Sequence, residues 1–122
     1  MKDPRPQAAA GHLSLRVRGV RSTATRLVAV GVREIVINDR FAVLELRGGT
    51  HLVVHEASHD GIIDAPFDLM FDDLDAARAR FQEEGFEVTH IRQGGIHRMF
   101  HAVAPDGYRI QVVDSHVGQR AV

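Results

Sequence analysis

The chain repeats itself, and the repeat limits what it can fold into. Residues 11–32, GHLSLRVRGVRSTATRLVAVGV, align without a gap with residues 65–86, APFDLMFDDLDAARARFQEEGF, at an offset of 54. Leu15 falls over Leu69, Val17 over Phe71, Val20 over Leu74, Leu27 over Phe81 and Gly31 over Gly85. Each copy reads as a short strand followed by a helix of about three turns, closed by a glycine of the kind that ends helices. In the second helix Leu74, Ala77 and Phe81 form an apolar stripe, and Asp72 or Asp73 can cap the first turn. The ends of the halves match as well: GTHLVVHE (49–56) overlies GYRIQVVD (107–114) at an offset of 58. Between them, the first half holds REIVI and RFAVLEL around a turn at Asn38-Asp39, and the second FEVTHI and HRMFHAV around the Gly94-Gly95 loop. Each half is therefore β-α-β-β-β. Such a unit leaves one sheet face uncovered, so two copies must pack together or onto a partner.

Composition narrows the class further. The 122 residues suffice for one domain, expected over 11–116 with modules at about 11–56 and 65–114. A proline-containing flexible arm, 1–10, is expected before it and a tail, 117–122, after it. A net charge of −1 argues against a nucleic-acid partner held by bulk electrostatics. No apolar run reaches the length of a membrane span, and with no cysteine there is no disulfide or thiol chemistry. The expectation is a soluble, cytoplasmic domain. Eight histidines raise the question of a metal, although none lies in an H-x-x-x-H helix.

A βαβββ unit repeated twice, the segment DDLDAARARFQEEGFEV, and APDGYRIQVVD together resemble the vicinal oxygen chelate superfamily. That superfamily includes glyoxalase I, extradiol dioxygenases, fosfomycin-resistance enzymes and bleomycin-binding proteins. The resemblance spans residues 11–115 and implies an α+β fold of two tandem modules forming a curved, cup-like mixed sheet. It also implies a small ligand on the concave face and pairing of two chains into a homodimer. One departure is that STATRLVAVGVREI lacks the aromatic pair usual in the first helix.

Family enzymes hold a divalent metal (Zn, Ni, Mn or Fe) with four inward side chains, and by resemblance those slots fall at His12, Val53, Pro66 and Gln111. The repeat pairs them independently, His12 over Pro66 and Val53 over Gln111. His12 and Gln111 are thus the two candidate metal ligands. Val53 and Pro66 carry no donor, whereas a working site needs at least three. Gln111 also stands where the family commonly has glutamate, and an amide cannot act as a general base. His51 and His55 share a face with Val53, and Asp68 shares one with Pro66, so a displaced site is conceivable. A two-residue displacement moves a ligand about 6.5 Å along a strand, however, against a bond of about 2 Å.

The candidate ligand-binding pocket comprises His12, His51, His55, Asp68, Met70, Phe100 and Gln111. Each has an ordinary alternative as a partly buried sheet residue. His97, Met99 and His101 alternate on one strand face that lines either the pocket or a subunit contact. His59, His90 and His116 are assigned to strand ends or loops without a role. Pro66 is expected to begin its strand, because it cannot donate to a ladder. Ile62 and Ile63 in the preceding linker are expected to dock against something.

The leading functional expectation is a protein, enzymatic or not, that binds a small oxygenated organic molecule, with an incomplete family metal site. If it is catalytic, histidine is the side chain suited to moving protons at neutral pH. A metal-dependent lyase or dioxygenase with altered ligands is the alternative. Drug sequestration ranks last, since the chain has no Trp, one Tyr and almost no net charge for gripping a bulky cation. A purely structural module would instead fill its cup with side chains.

Overall fold

Each copy of the repeat folds as a sheet with one helix laid across it. The computed structural model describes residues 2–115; His116 and the tail 117–122 lie outside the described residues. The first half runs β1 (His12–Val17), α1 (Val20–Ala29), β2 (Arg33–Ile37), β3 (Phe41–Glu45) and β4 (His51–Glu56), with a single 3-10 turn at Arg47–Gly49 before β4. The second runs β5 (Ile63–Phe71), α2 (Leu74–Glu83), β6 (Glu87–Val88), β7 (Arg92–Gln93), β8 (Arg98–Val103) and β9 (Tyr108–Asp114). One sheet has the order β1-β4-β3-β2; the other has the order β5-β9-β8-β6, with β7 also on β8. First and last strands pair in parallel in both halves, and the remaining pairs are antiparallel.

The two offsets read from the sequence survive in the ladders. Leu15 pairs with Val54 and Leu69 with Val112, so the mates at 54 and 58 residues keep the same register. Both helices bury the repeated face: Val20, Thr23, Ala24 and Leu27 in α1, and Leu74, Ala77 and Phe81 in α2. Asp73, rather than Asp72, caps α2, accepting from the Ala76 amide at 3.0 Å. Gly31 and Gly85 end the helices with φ of 126° and 92°. Beneath α2, Phe81 meets Phe71, Phe86 and Phe100 edge-on at centroid distances of 5.9, 4.8 and 5.8 Å. Burying one such ring contributes about 1.5–3 kcal/mol.

Polar contacts hold the halves in place over this common core. The Pro-Asp-Gly turn before β9 offers the Asp106 carboxylate to α1. It accepts from the Ser22 hydroxyl at 2.8 Å, the Thr23 hydroxyl at 3.4 Å and the Arg26 guanidinium at 3.2 Å. Arg26 also donates to the Glu84 carbonyl at 2.9 Å, tying α1 to the end of α2. Arg18 crosses the inter-half linker to reach the His59 carbonyl at 2.9 Å, and Arg47 pairs with Asp72 at 2.8 Å. Burial pushes the Tyr108 phenol well above its ordinary range, so it stays neutral inside the core.

Two sequence expectations are corrected. Pro66 does not begin its strand: β5 starts at Ile63, whose amide donates to the Gly107 carbonyl at 3.0 Å. Pro66 instead falls inside a register shift, since Asp64 faces Arg109 while Asp68 already faces Gln111. A residue with no N–H can sit within a strand where the ladder skips it. Ile63 thereby belongs to β5, and Ile62 alone remains an exposed linker residue. The segment FEVTHI is likewise not one strand but breaks after Val88. The Thr89 hydroxyl accepts from the His101 amide at 2.8 Å, and Arg78 donates to the Thr89 carbonyl at 2.8 Å. A side chain has replaced a backbone acceptor, and the ladder resumes only at Arg92.

Candidate polar cleft on the open sheet faces

Strand alternation sends one set of side chains under the helix and the other onto the uncovered face. In the first half, register arranges the uncovered set in transverse rows. Arg33, Glu45, His51 and His12 form the row at one end, and Val36, Val43, Val53 and Ser14 the next. Phe41, His55 and Arg16 form the third. In the second half the corresponding rows are Val103, Arg109 and Asp64; His101, Gln111 and Asp68; and Met99, Val113 and Met70.

The second-half rows border an open cleft of about 500 Å³ lined by Asp64, Asp68, Thr89, His101, Arg109 and Gln111, with Ala65 and Val103 as its apolar part. Gln111 Nε2 donates to Asp68 Oδ2 at 3.4 Å, leaving the amide oxygen for another partner. Arg109 donates to Asp64 at 2.6 Å, and this guanidinium holds the Asp64 carboxyl below its ordinary value of 3.8. The Thr89 hydroxyl fixes the strand that carries His101. The cleft thus combines fixed acceptors, an imidazole and a guanidinium on rigid strands.

The residues expected in one pocket divide into four places. Asp68 and Gln111 lie together in this cleft. His12, His51 and His55 lie on the open face of the first sheet, with the His12 and His51 rings 5.5 Å apart. Met70 lies on the open face of the second sheet, beside a crevice between the halves that shares Asp68 with the cleft. Phe100 is a correction: it is fully buried on the opposite face, edge-on to Phe81, and cannot touch a ligand in the cleft. Phe100 shares β8 with Met99 and His101 but alternates to the opposite face. His97 Nδ1 lies within hydrogen-bond distance of Asp114 Oδ1, at 3.2 Å.

Asp64, Thr89, His101 and Arg109 were not among the expected pocket residues. Asp64 was concealed in a stretch read as linker, and Thr89 in a strand read as unbroken. Only the alternation of His97, Met99 and His101 signalled His101 beforehand.

A divalent metal held by the four family slots does not fit this donor set. Val53 and Pro66 supply no ligand atom, and Pro66 is displaced by the β5 register shift. Among the described residues no group of three or more His, Asp or Glu side chains converges on a metal position.

No protein-family model and no curated protein matches the chain at the level of sequence. Solved structures do match over nearly its whole length. A possible glyoxalase from Bacillus cereus is 23% identical, with 86% of this chain and 97% of that one covered at a TM-score of 0.68. The bleomycin resistance determinant encoded on transposon Tn5 is 18% identical, with coverages of 89% and 99% and a TM-score of 0.68. A lactoylglutathione lyase from Agrobacterium tumefaciens is 15% identical, with coverages of 91% and 96% and again 0.68. The chain has the fold of the vicinal oxygen chelate superfamily, to which the glyoxalases, lactoylglutathione lyases and bleomycin-resistance proteins belong.

Proposed function

We propose that the protein binds a small oxygenated organic molecule in the polar cleft of its second half. The observation that carries this reading is the convergence of Asp68, Gln111, His101 and the Asp64–Arg109 pair on one 500 Å³ space. Hydroxyl groups of a ligand donate to Asp68 and to the free oxygen of the Gln111 amide. Carbonyl or carboxylate oxygens accept from Arg109 and from the imidazole of His101. Few polar groups at defined positions beside apolar Ala65 and Val103 suit a molecule of modest size. The donor set makes a metal-dependent lyase or dioxygenase using His12 and Gln111 the weaker reading.

The protein acts as a homodimer in this proposal. Phe41, Val36 and Met70 are large apolar side chains exposed on the two open faces, and a second copy laid over those faces would cover them.

The test is an amide NMR titration with simple hydroxy acids, keto acids and diols, with light scattering for mass. Saturable shifts at Asp68, His101 and Gln111 that disappear in Gln111→Leu, on a species of twice the chain mass, are expected. Shifts confined to the first sheet, or none with any probe, overturn the cleft; a monomer overturns the pairing.

A further inference from the structure

The cleft does not stop at Asp68. A second space of about 550 Å³ opens between the halves, and Asp68 lines both. β5 is the end strand of its sheet and pairs with β9 alone, so its other edge borders this crevice. Side chains from both faces of the strand reach it, Asp68 and Met70 from the open face and Leu69 and Phe71 from the helix face. Leu13, Val32 and Leu46 of the first half form the opposite bank. The Arg47–Asp72 ion pair joins the two banks at 2.8 Å. A polar cleft and a largely apolar crevice thus meet at one carboxylate.

We propose that the ligand is a straight-chain 2-hydroxy carboxylic acid whose alkyl tail lies in this crevice. The inference rests on the cleft reading above and names the class of molecule which that reading leaves open. In such an acid a single carbon bears the hydroxyl and also starts the tail. A hydroxyl held by Asp68 and Gln111, with the carboxylate turned to the N–H groups of Arg109 that Asp64 does not use, starts the tail where the crevice opens. The tail then removes the partly buried Leu13, Leu46 and Phe71 from water. A tail carrying hydroxyls would find no partners along these walls and would lose its hydration there. From Asp68 to Asp72 the chain advances about 13 Å, which sets the reach of the tail. A second copy laid over the open faces meets Met70 but not the helix-side wall of Leu69 and Phe71, so pairing and tail binding are compatible.

The test is a series of straight-chain 2-hydroxy acids of three to twelve carbons, kept below micelle-forming concentrations and titrated into the whole chain under amide and methyl NMR. The Gln111 and His101 amides should move with every member, and the Leu13 and Leu46 methyls should join them as the tail lengthens. Affinity should rise about two- to fourfold per added methylene, fourfold being the ratio for a fully buried one. The rise should level off when the tail spans the distance to the Arg47–Asp72 pair. Leu46→Gln, checked for folding by circular dichroism, should flatten the rise; the series on the natural chain stands without it. Affinity independent of chain length, with the Gln111 and His101 shifts intact, overturns the tail and leaves the cleft reading standing. A rise with the Leu13 and Leu46 methyls unmoved, or one that survives Leu46→Gln undiminished, also overturns it. No shift at Gln111 or His101 with any member overturns both.

Discussion

The two halves are near-copies beneath their helices and unlike on their open faces. Under the helices the mates Leu15 and Leu69, Val54 and Val112, and Leu27 and Phe81 are all buried and apolar. Each helix must cover its own sheet, and burial leaves little choice of residue. On the open faces the same register positions hold Val43, Val53 and Ser14 in one half and His101, Gln111 and Asp68 in the other. The polar row of the first half lies one row away, at Glu45, His51 and His12. Two residues along a strand separate those rows, about 6.5 Å. A duplicated fold therefore keeps its core by necessity while its two faces carry polar rows at different positions.

The largest test of this comparison is in the core. Leu27 and Phe81 are mates, both fully buried, but only Phe81 touches three further aromatic rings. Phe81→Ala should cost about 3–5 kcal/mol and Leu27→Ala about 2–4 kcal/mol, measured by urea denaturation. Equal losses would mean that the aromatic cluster adds nothing beyond buried area. A larger loss at Leu27 would place the stability of the molecule in its first half.

What was legible in the sequence follows the same division. Buried positions repeat because packing imposes them, so the strands, helices and both offsets could be read from residue type alone. A cap at Asp72 or Asp73, the turn at Asn38 and the helix-ending Gly31 and Gly85 are local chemistry and were equally visible, although only the structure chose Asp73. The site was legible only where register depends on strand alternation, as for Gln111 and Asp68. It was hidden where the ladder skips. The shift around Pro66 brings Asp64 beside Arg109, and the Thr89 hydroxyl bond breaks the strand that was read through it. Both depend on a tertiary neighbour, and no local pattern encodes them. Phe100 failed for a related reason, because alternation fixes which residues share a face but not which face meets the helix.

A smaller effect is expected in the turns that lead into the last strands. Gly49 and Gly107 are mates at the offset of 58, and both take a left-handed backbone, with φ of 91° and 89°. A Cβ on Gly49 would meet open space. On Gly107 it would run into the Arg18 guanidinium and come within 2.9 Å of the Gly61 carbonyl oxygen. Gly49→Ala should cost about 1–2 kcal/mol for the backbone conformation alone. Gly107→Ala should cost more, because the Gly61 carbonyl is backbone and cannot swing aside. Restoration of Gly107→Ala to the Gly49→Ala level by adding Arg18→Ala would assign the whole excess to the guanidinium rather than the carbonyl.

The smallest effect separates the two end rows. In the first half this row pairs Arg33 with Glu45; in the second it pairs Arg109 with Asp64. The Arg109 hydrogen bond lowers the Asp64 carboxyl below 3.8, and Asp64 in return raises Arg109. A carboxyl lowered in the folded state binds its proton less readily than in the unfolded chain. Its contribution is thus present above the ordinary carboxylate value and lost as pH falls through the lowered folded value. Both groups face solvent, so water screens the pair and the urea midpoint should hardly move in Arg109→Gln. The carboxyl itself should respond clearly: carbon NMR should place the Asp64 midpoint below 3.8 in the natural chain and return it toward that value in Arg109→Gln. An unchanged midpoint in the variant would mean that Asp64 does not hold Arg109, leaving its Nε as well as its other N–H groups for a ligand. The cleft would then present an unpaired guanidinium, and its preference would move from hydroxyl-rich molecules toward carboxylates.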